Sequence, residues 1–296
     1  MPSSELSENQ LPIGSLWGCI TQRTTEALAC GALLSIPTID EQLEQGGLTF
    51  VVRVSRNVVR KQTASKTSKQ SPNPFLPYDT DLFVTDLSPS HVALLNKFNV
   101  VDHHLLIITR HFESQESWLT QHDFAALAQC MAEINGLAFY NGGQNAGASQ
   151  RHKHLQLVPL PLSPAHRHAV PLEALFDDSM ETGKLARLSF AHAIVALDLD
   201  WSLAPDILAV NLDQHYRHLY ESAGLPTGEQ PQPYNLLLTR RWMFLVPRSQ
   251  ESHAGISVNA LGFSGSLFVR NREQLEQLKA MGPMTILEQV AYPKAI

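Results

Sequence analysis

Side chains able to do chemistry are densest between Asn141 and Pro161, in the run NGGQNAGASQRHKHLQLVPLP. If His152 to Val158 is a strand, successive side chains face opposite ways. His152, His154 and Gln156 then share one face, with Lys153, Leu155 and Leu157 on the other. The two imidazoles and the amide form a row about 13 Å long at ~3.3 Å per residue. The loop before them has glycine at 142, 143 and 147 and small residues at 146, 148 and 149. Such a loop lets backbone N–H groups come close to an anion, and Ser149 adds a hydroxyl. A neutral imidazole is a competent nucleophile near pH 7, because its ordinary pKa is about 6.5. Loop N–H groups suit the charge that grows on phosphate oxygens in a transition state. Together they point to phosphoryl or nucleotidyl transfer, with a covalent histidine intermediate dividing one displacement between anions into two easier steps. Two histidines at this spacing also fit a metal pair or a solvated strand edge. The glycine-rich loop alone also fits a flexible connection.

Elements on either side must hold this row. Thr120 reads as a helix N-cap with Asp123 three residues on, and Phe124, Leu127, Ala128, Met131, Ile134 and Ala138 recur at helical spacing. That helix is expected to stop by Asn141, at Asn141-Gly142-Gly143. Strands are expected at Leu48 to Val54, Val92 to Asn96, Leu105 to Thr109, Ala191 to Leu197, Leu236 to Thr239, Trp242 to Val246 and Ser266 to Val269. Further helices are expected over Thr21 to Leu34, from Pro205 to about Ala223, and over Asn271 to Met281. Met1 to Leu11 reads as a frayed tail and Arg56 to Pro77 as a long polar loop. Prolines and polar residues mix without pattern from about Leu160 to Glu181, which marks a boundary: a catalytic region over 1–170 and a C-terminal region over 171–296, able to pack as one unit. Strands and helices interleave without a regular βαβ rhythm, so the expected class is α+β with a mainly antiparallel sheet.

Composition narrows the partners. The 296 residues are 44% hydrophobic and 17% charged, with a net charge of −6. A general duplex-binding protein would carry a basic excess, so no nucleic-acid partner is expected. The three cysteines, Cys19, Cys30 and Cys130, have no CxxC spacing, which argues against a disulfide framework or a cysteine-rich zinc site. No apolar run approaches the ~20 residues of a membrane span, and MPSSELSENQ is polar and acidic where a signal peptide would be basic and then apolar. A soluble cytoplasmic protein is expected.

Other candidates read as follows. Arg53, Arg56, Arg60, Lys61, Lys66 and Lys69 come with no Asp or Glu from Phe50 until Asp79. They form either a basic arm over a polyphosphate or a solvated loop, with Lys61 the one chosen as a phosphate contact. Asp102, His103 and His104 look like a metal cluster, but adjacent residues on a strand point apart. His215 and His218 lie at i, i+3 on a helix, where a solvated face is the simpler reading. Trp17, Trp118, Trp201 and Trp242 read as packing. No metal ligands are assigned.

The glycine-rich loop running into H-x-H-x-Q resembles the histidine-triad superfamily, in the branch where glutamine replaces the third histidine. Within it, the match resembles the diadenosine tetraphosphate phosphorylase (ATP adenylyltransferase) family. LLNKFNVVDHHLLIITRHFE (Leu94 to Glu113) resembles the family's first core hairpin and HKHLQLVPLP its catalytic strand. YNLLLTRRWMFLVPRS (Tyr234 to Ser249) and ISVNALGFSGSLFVR (Ile256 to Arg270) resemble its C-terminal segment. The resemblance implies a histidine-triad-like sheet with packed helices and a C-terminal α/β extension completing the site.

It also implies a reaction: diadenosine tetraphosphate plus phosphate gives ATP and ADP, reversibly. By that resemblance His154 attacks an α-phosphorus, His152 orients it through its backbone carbonyl, and Gln156 hydrogen-bonds the transferred group. Asn96 and Lys97 fall where the family holds the nucleoside, and Ala146, Gly147, Ala148 and Ser149 where it wraps phosphates. Asn141 joins the substrate-binding set. Asn259, Leu261, Ser266 and Arg270 fall in the C-terminal segment that completes the site, with Arg270 where lysine is expected, a swap that keeps charge and changes geometry. Mg²⁺ or another divalent cation is expected as a substrate-bound counter-ion. The expected partners are a dinucleoside polyphosphate, ATP, ADP and phosphate, with a monomer expected and an oligomer left open.

Glutamine adds a physical point. An amide cannot shuttle a proton to activate water, so Gln156 favours a transferase, whose acceptor arrives already ionised, over a hydrolase. This leaves phosphate and sulfate as acceptors undistinguished. Two alternatives stand beside this reading. A hexose-1-phosphate uridylyltransferase uses a related H-P-H-x-Q strand, but here Lys153 stands in place of proline. The other is a nucleotide-binding sensor without chemistry.

Overall fold

A computed structural model describes residues 14–56, 73–176, 183 and 185–294. In chain order the helices are α1 (Leu16–Cys30), α2 (Gln121–Glu133), α3 (Pro205–Ser222), α4 (Ala260–Phe263), α5 (Arg272–Met281) and α6 (Pro283–Val290). The strands are β1 (Thr38–Gln45), β2 (Leu48–Ser55), β3 (Phe83–Asp86), β4 (His91–Leu95), β5 (Leu105–Thr109), β6 (Gly136–Gly142) and β7 (His154–Pro159). They continue with β8 (Ala193–Ala196), β9 (Tyr234–Leu238), β10 (Trp242–Pro247), β11 (Ser252–His253), β12 (Ile256–Ser257) and β13 (Ser266–Val269).

Eight strands make one sheet in the order β3-β4-β5-β7-β6-β9-β10-β8, every neighbour antiparallel. The α+β, mainly antiparallel expectation holds. Strands from before and after residue 170 share this sheet, joined where β6 pairs with β9. A second sheet, β1-β2-β13, pairs β2 with β13 in parallel.

Alternation on the strands divides the core. One face of the large sheet packs Leu155, Leu157, Leu236 and Leu238 against α1, α2 and α3, through residues such as Ile20, Phe124, Met131 and Tyr216. The other face sends Phe139, Val158, Leu237 and Phe244 against β2 and the C-terminal helices, where Leu275, Leu278, Ile286 and Leu287 are buried. Each such buried side chain contributes about 1.5–3 kcal/mol of transfer free energy. A third cluster, Phe75, Val92, Leu94, Leu106 and Ile108, covers β4 and β5 beside β7. His154 and Gln156 lie on that second face, between the two apolar clusters.

Several boundaries differ from expectation. The helix opened by Thr120 has its full capping box but ends at Glu133, and Gly136–Gly142 is a strand. Leu137 and Phe139 alternate with Ala138 and Tyr140 between the two cores, so the period there is two and not 3.6. Gly136 is required by contact: a Cβ there would lie 2.7 Å from Leu157 Cδ1 and from the Val158 carbonyl. Helix α1 begins at Leu16 rather than Thr21 and ends at Cys30 rather than Leu34, capped by Gly31 in the left-handed conformation at φ 80°. Trp17 is 40% exposed and not core packing. Strands β1, β3, β6, β11 and β12 and helices α4 and α6 lie outside the expected set.

Candidate active site

The nucleophile candidate is defined by its ring contacts. His154 Nδ1 lies 2.8 Å from the His152 carbonyl, which only accepts, so Nδ1 carries the proton and donates. Nε2 then bears the lone pair, and it makes no hydrogen bond to a described residue. No buried side-chain nitrogen or oxygen among the described residues lacks a partner, so this nitrogen is the ring's opening to solvent. The residue is otherwise 4% exposed, and burial pushes its pKa down to about 4. The imidazole is neutral throughout the physiological range.

His152 does not continue the strand. It precedes β7, bridges to Ser114, and turns its ring toward β5, with Nε2 2.8 Å from the Thr109 carbonyl and 2.9 Å from its hydroxyl. Nε2–H donates to that carbonyl, leaving Nδ1 to accept from Asn73 Nδ2 at 3.0 Å. The expected row therefore begins one bridge residue before β7, with the His152 carbonyl holding His154 Nδ1–H. The Phe75 ring stands edge-on to both imidazoles, at 5.3 Å from His154 and 5.6 Å from His152. It supplies an apolar wall that keeps both rings upright.

Gln156 faces the same side as His154. Its Oε1 is 2.9 Å from His104 Nε2, and His104 Nδ1 is 3.1 Å from Asn96 Nδ2. His104 is buried, and burial lowers its pKa to about 4. His103 and His104 point apart, though through a turn and not a strand: His103 has φ 57°, and its Nδ1 meets Thr24 on α1 at 3.1 Å.

Behind the strand, Lys153 is 1% exposed and donates to Glu113 at 2.7 Å, to the Trp118 carbonyl at 3.0 Å and to Asp123 at 3.3 Å. Asp123 also takes His91 Nε2 at 3.0 Å and caps α2. His91 and Lys153 hold its carboxyl below the usual range against the opposing effect of burial. A fully bonded buried ammonium between the two histidines leaves the strand little freedom to twist.

Gln115 closes a gap in the ladder. Strands β6 and β7 pair from Gly136↔Pro159 to Phe139↔Gln156 and then part. Continued register would set Asn141 opposite His154. Between them lies the Gln115 amide, accepting the His154 N–H at 2.8 Å and donating to the Asn141 carbonyl at 2.9 Å. A side chain does the work of the missing backbone bonds, and the strands open where the loop must lie.

That loop is fixed from outside. Asn141 Oδ1 accepts from Asn235 Nδ2 and from the Ala260 N–H, each at 2.9 Å. Asn235 and Arg248 both donate to the Ala146 carbonyl, at 2.8 and 3.3 Å. Arg248 is fully buried among carbonyl and amide oxygens, and desolvation lowers its pKa to about 9. Gly147 has φ +87° and sits so close to the next segment that a Cβ would lie 2.7 Å from the Val258 carbonyl. Asn259 Oδ1 accepts from the Leu261 N–H at 3.1 Å, at the start of α4. The loop's own carbonyls take up the N–H groups of Gly143, Ala146, Gly147 and Ala148. Among the described residues those of Gln144, Asn145, Ser149, Gln150 and Arg151 have no acceptor, so open donors lie on both sides of the Ala146–Ala148 turn, one group of them next to His152.

The remaining candidates are less central. Lys97 is half exposed and pairs with Asp79 at 3.5 Å. Ser266 lies in the smaller sheet with its hydroxyl accepting from Arg53. Arg270 is exposed just after β13. None of the three makes a hydrogen bond to the His154 network. Arg53 itself is buried in β2 and donates to the Leu162 carbonyl, so it belongs to the core and not to a basic arm. Lys61, with Arg60, Lys66 and Lys69, lies outside the described residues. His104, Gln115, Asn235 and Arg248 carry much of the geometry and are not among the site residues expected from sequence. His104 left a trace as part of the Asp102-His103-His104 cluster, and Asn235 as an amide inside the apolar strand YNLLL.

Two family models match the chain. Residues 6–178 match the Ap4A phosphorylase N-terminal domain, more than half of the sequence. The chain belongs to the Ap4A phosphorylase family. Residues 186–293 match the ATP adenylyltransferase C-terminal domain. Diadenosine 5',5'''-P1,P4-tetraphosphate phosphorylase 2 of Saccharomyces cerevisiae is 31% identical over 263 residues, covering 77% of this chain and 78% of that protein. The crystal structure of yeast Ap4A phosphorylase Apa2 with AMP superposes with a TM-score of 0.75 at 26% identity, covering 95% of this chain and 99% of that one. The same enzyme with Ap4A gives 0.72 at 25% identity, covering 95% and 98%. In this member of the Ap4A phosphorylase family, His152, His154 and Gln156 lie on or next to one strand.

Proposed function

We propose that this protein is a nucleotidyltransferase that cleaves diadenosine tetraphosphate with phosphate to give ATP and ADP, with His154 as the nucleophile. The single observation that carries the reading is the His154 ring: Nδ1–H given to the His152 carbonyl and Nε2 left neutral and open. Membership of the Ap4A phosphorylase family and the likeness to Apa2 with bound Ap4A support the substrate class.

The chemistry runs in two displacements. Nε2 forms a bond to an α-phosphorus, the bridging P–O bond breaks, and ATP leaves. The imidazolium so formed keeps Nδ1–H on the His152 carbonyl, whose dipole faces the new positive charge. An oxygen of phosphate then attacks the same phosphorus, the P–N bond breaks, and ADP leaves with Nε2 neutral again. Gln156 and the free N–H groups of Ser149 and Gln150 take the charge on the equatorial oxygens. Gln156 offers no titrating group to activate water, so the intermediate waits for an ionised acceptor. Sulfate in place of phosphate is part of the same proposal.

A divalent cation such as Mg²⁺ enters as a counter-ion of the polyphosphate. In this proposal the substrate's phosphate oxygens are its main ligands. Among the described residues no helix is long and apolar enough to cross a membrane. A cytoplasmic monomer is the working state we propose.

Incubation with diadenosine tetraphosphate, with and without phosphate, tests the reading. ATP and ADP should appear in equal amounts and only with phosphate. Release of AMP without phosphate would make the protein a hydrolase, and turnover of a UDP-sugar in its place would move it to the uridylyltransferases.

A further inference from the structure

We propose that Asn96 and His104 are positioning residues that fix the polarity of Gln156, so that its NH₂ group, and not its carbonyl, faces the transferred phosphoryl group. The proposal rests on Gln156 being the partner of that group. A glutamine amide has a donor end and an acceptor end of nearly the same size, and packing alone does not choose between them. A chain of hydrogen bonds does, provided that its far end is a group with only one role.

The Phe98 backbone N–H is that group. It donates to Asn96 Oδ1 at 3.3 Å, so the amide of Asn96 turns its Nδ2 away. Nδ2 can only donate, and it meets His104 Nδ1 at 3.1 Å. His104 Nδ1 therefore accepts, and the proton of the neutral ring sits on Nε2. Nε2–H donates to Gln156 Oε1 at 2.9 Å. Once Oε1 is taken, Gln156 has its two N–H bonds left for the site. Polarity runs in one direction from a peptide N–H to the phosphoryl oxygens, through two side chains that do not touch substrate by these atoms.

The relay works only with a neutral ring in one tautomer. His104 is 6% exposed and faces Asn96, Gln156, the Phe139 ring at 5.7 Å and, more distantly, His154. None of these is a carboxylate, and burial outweighs the pull of the Gln156 acceptor toward a second proton. Reversed, the amide would set a carbonyl oxygen against phosphate oxygens, and the charge-bearing transition state would lose a donor, a loss of about 10²–10³ in kcat for comparable groups.

Two measurements test this on the full chain. Long-range ¹H–¹⁵N spectra of the histidine-labelled protein report which ring nitrogen is protonated. The His104 pattern, assigned by its loss in His104→Phe or its shift in Asn96→Asp, should be neutral Nε2–H at pH 7.5. A ring protonated on Nδ1, or on both nitrogens, would overturn the proposal. The second measurement is the pH profile of Asn96→Asp. The carboxylate of that variant accepts from the Phe98 N–H and has no donor for His104, so it must also accept from Nδ1–H. A neutral His104 ring then offers Nε2 as an acceptor and turns Gln156 round. A doubly protonated ring still donates from Nε2. The variant's kcat should therefore fall about 10²-fold as pH rises through the His104 pKa, a limb that wild type lacks. A flat profile with kcat within about threefold of wild type would also overturn it. If wild type itself did not turn over diadenosine tetraphosphate, the functional reading would fail, while the spectrum would still read the relay.

Discussion

Gln115→Leu separates the placement of the nucleophile from the stability of the sheet. The side chain is 1% exposed and spans the point where β6 and β7 part. Leucine fills a similar volume but removes the acceptor of the His154 N–H and the donor to the Asn141 carbonyl. The carbonyl keeps the Gly143 N–H at 2.9 Å, so it remains bonded. The His154 N–H loses its partner inside the core, which costs about 1–3 kcal/mol, and the lost bonds add ~1 kcal/mol. Stability should fall by roughly 2–4 kcal/mol, and Tm by roughly 5–10 °C for a chain of this size. The orphaned N–H recovers a partner only if β7 shifts toward β6, and a displacement of ~1 Å at the nucleophile costs on the order of 10²-fold in rate. Steady-state phosphorolysis of diadenosine tetraphosphate, with a thermal melt of the same preparation, reads both quantities. KM should stay within about threefold, because this amide does not form the loop's open N–H groups. A melt that drops as expected while kcat stays within about threefold of wild type would refute the link between this amide and the position of His154.

Three further outcomes follow from the same geometry. His154→Asn should keep the fold, seen in an unchanged circular dichroism spectrum, and lose roughly 10⁴-fold or more in rate, the scale of a lost nucleophile; near-normal turnover would take His154 out of that role. His104 and His154 both bind a proton near 4 when folded and near 6.5 when unfolded, so between these values the unfolded chain holds more protons. Stability should therefore be fully present above about pH 6.5 and decline as pH falls toward 4, which urea midpoints across that range would show; a midpoint unchanged down to about pH 4.5 would contradict the burial of these rings. Gly147→Ala forces a Cβ into the Val258 carbonyl at a φ that alanine disfavours, and should cost about 1–3 kcal/mol while raising KM for the dinucleotide; an unchanged KM would show that the loop does not hold phosphate.

The motif was legible because its chemistry is local. H-x-H-x-Q on a strand dictates which side chains share a face, and His154, Gln156, Lys153, Leu155 and Leu157 all lie where that period puts them. The capping box at Thr120 and the antiparallel class followed in the same way from neighbours in sequence. Strand β6 was missed because the helical pattern of α2 runs into a segment whose apolar residues satisfy both periods, and only its pairing with β7 and β9 chooses between them. His152 falls just outside β7 where sequence had it begin the strand, and its ring is fixed by Thr109, on a different strand.

From its residues alone this chain determined that His154 and Gln156 share one face of a strand behind a glycine-rich approach, because residue type and spacing suffice for that; the roles proposed for them came with the family resemblance. Tertiary structure decided which nitrogen of His154 is free, which end of Gln156 meets His104, and where the loop lies. Those choices depend on Gln115, His104, Asn96, Asn235 and Arg248, several of them far from the motif in sequence. A hydrogen bond has a direction that is settled only when both partners are in place, and sequence spacing specifies a partner only when it is a near neighbour in the chain.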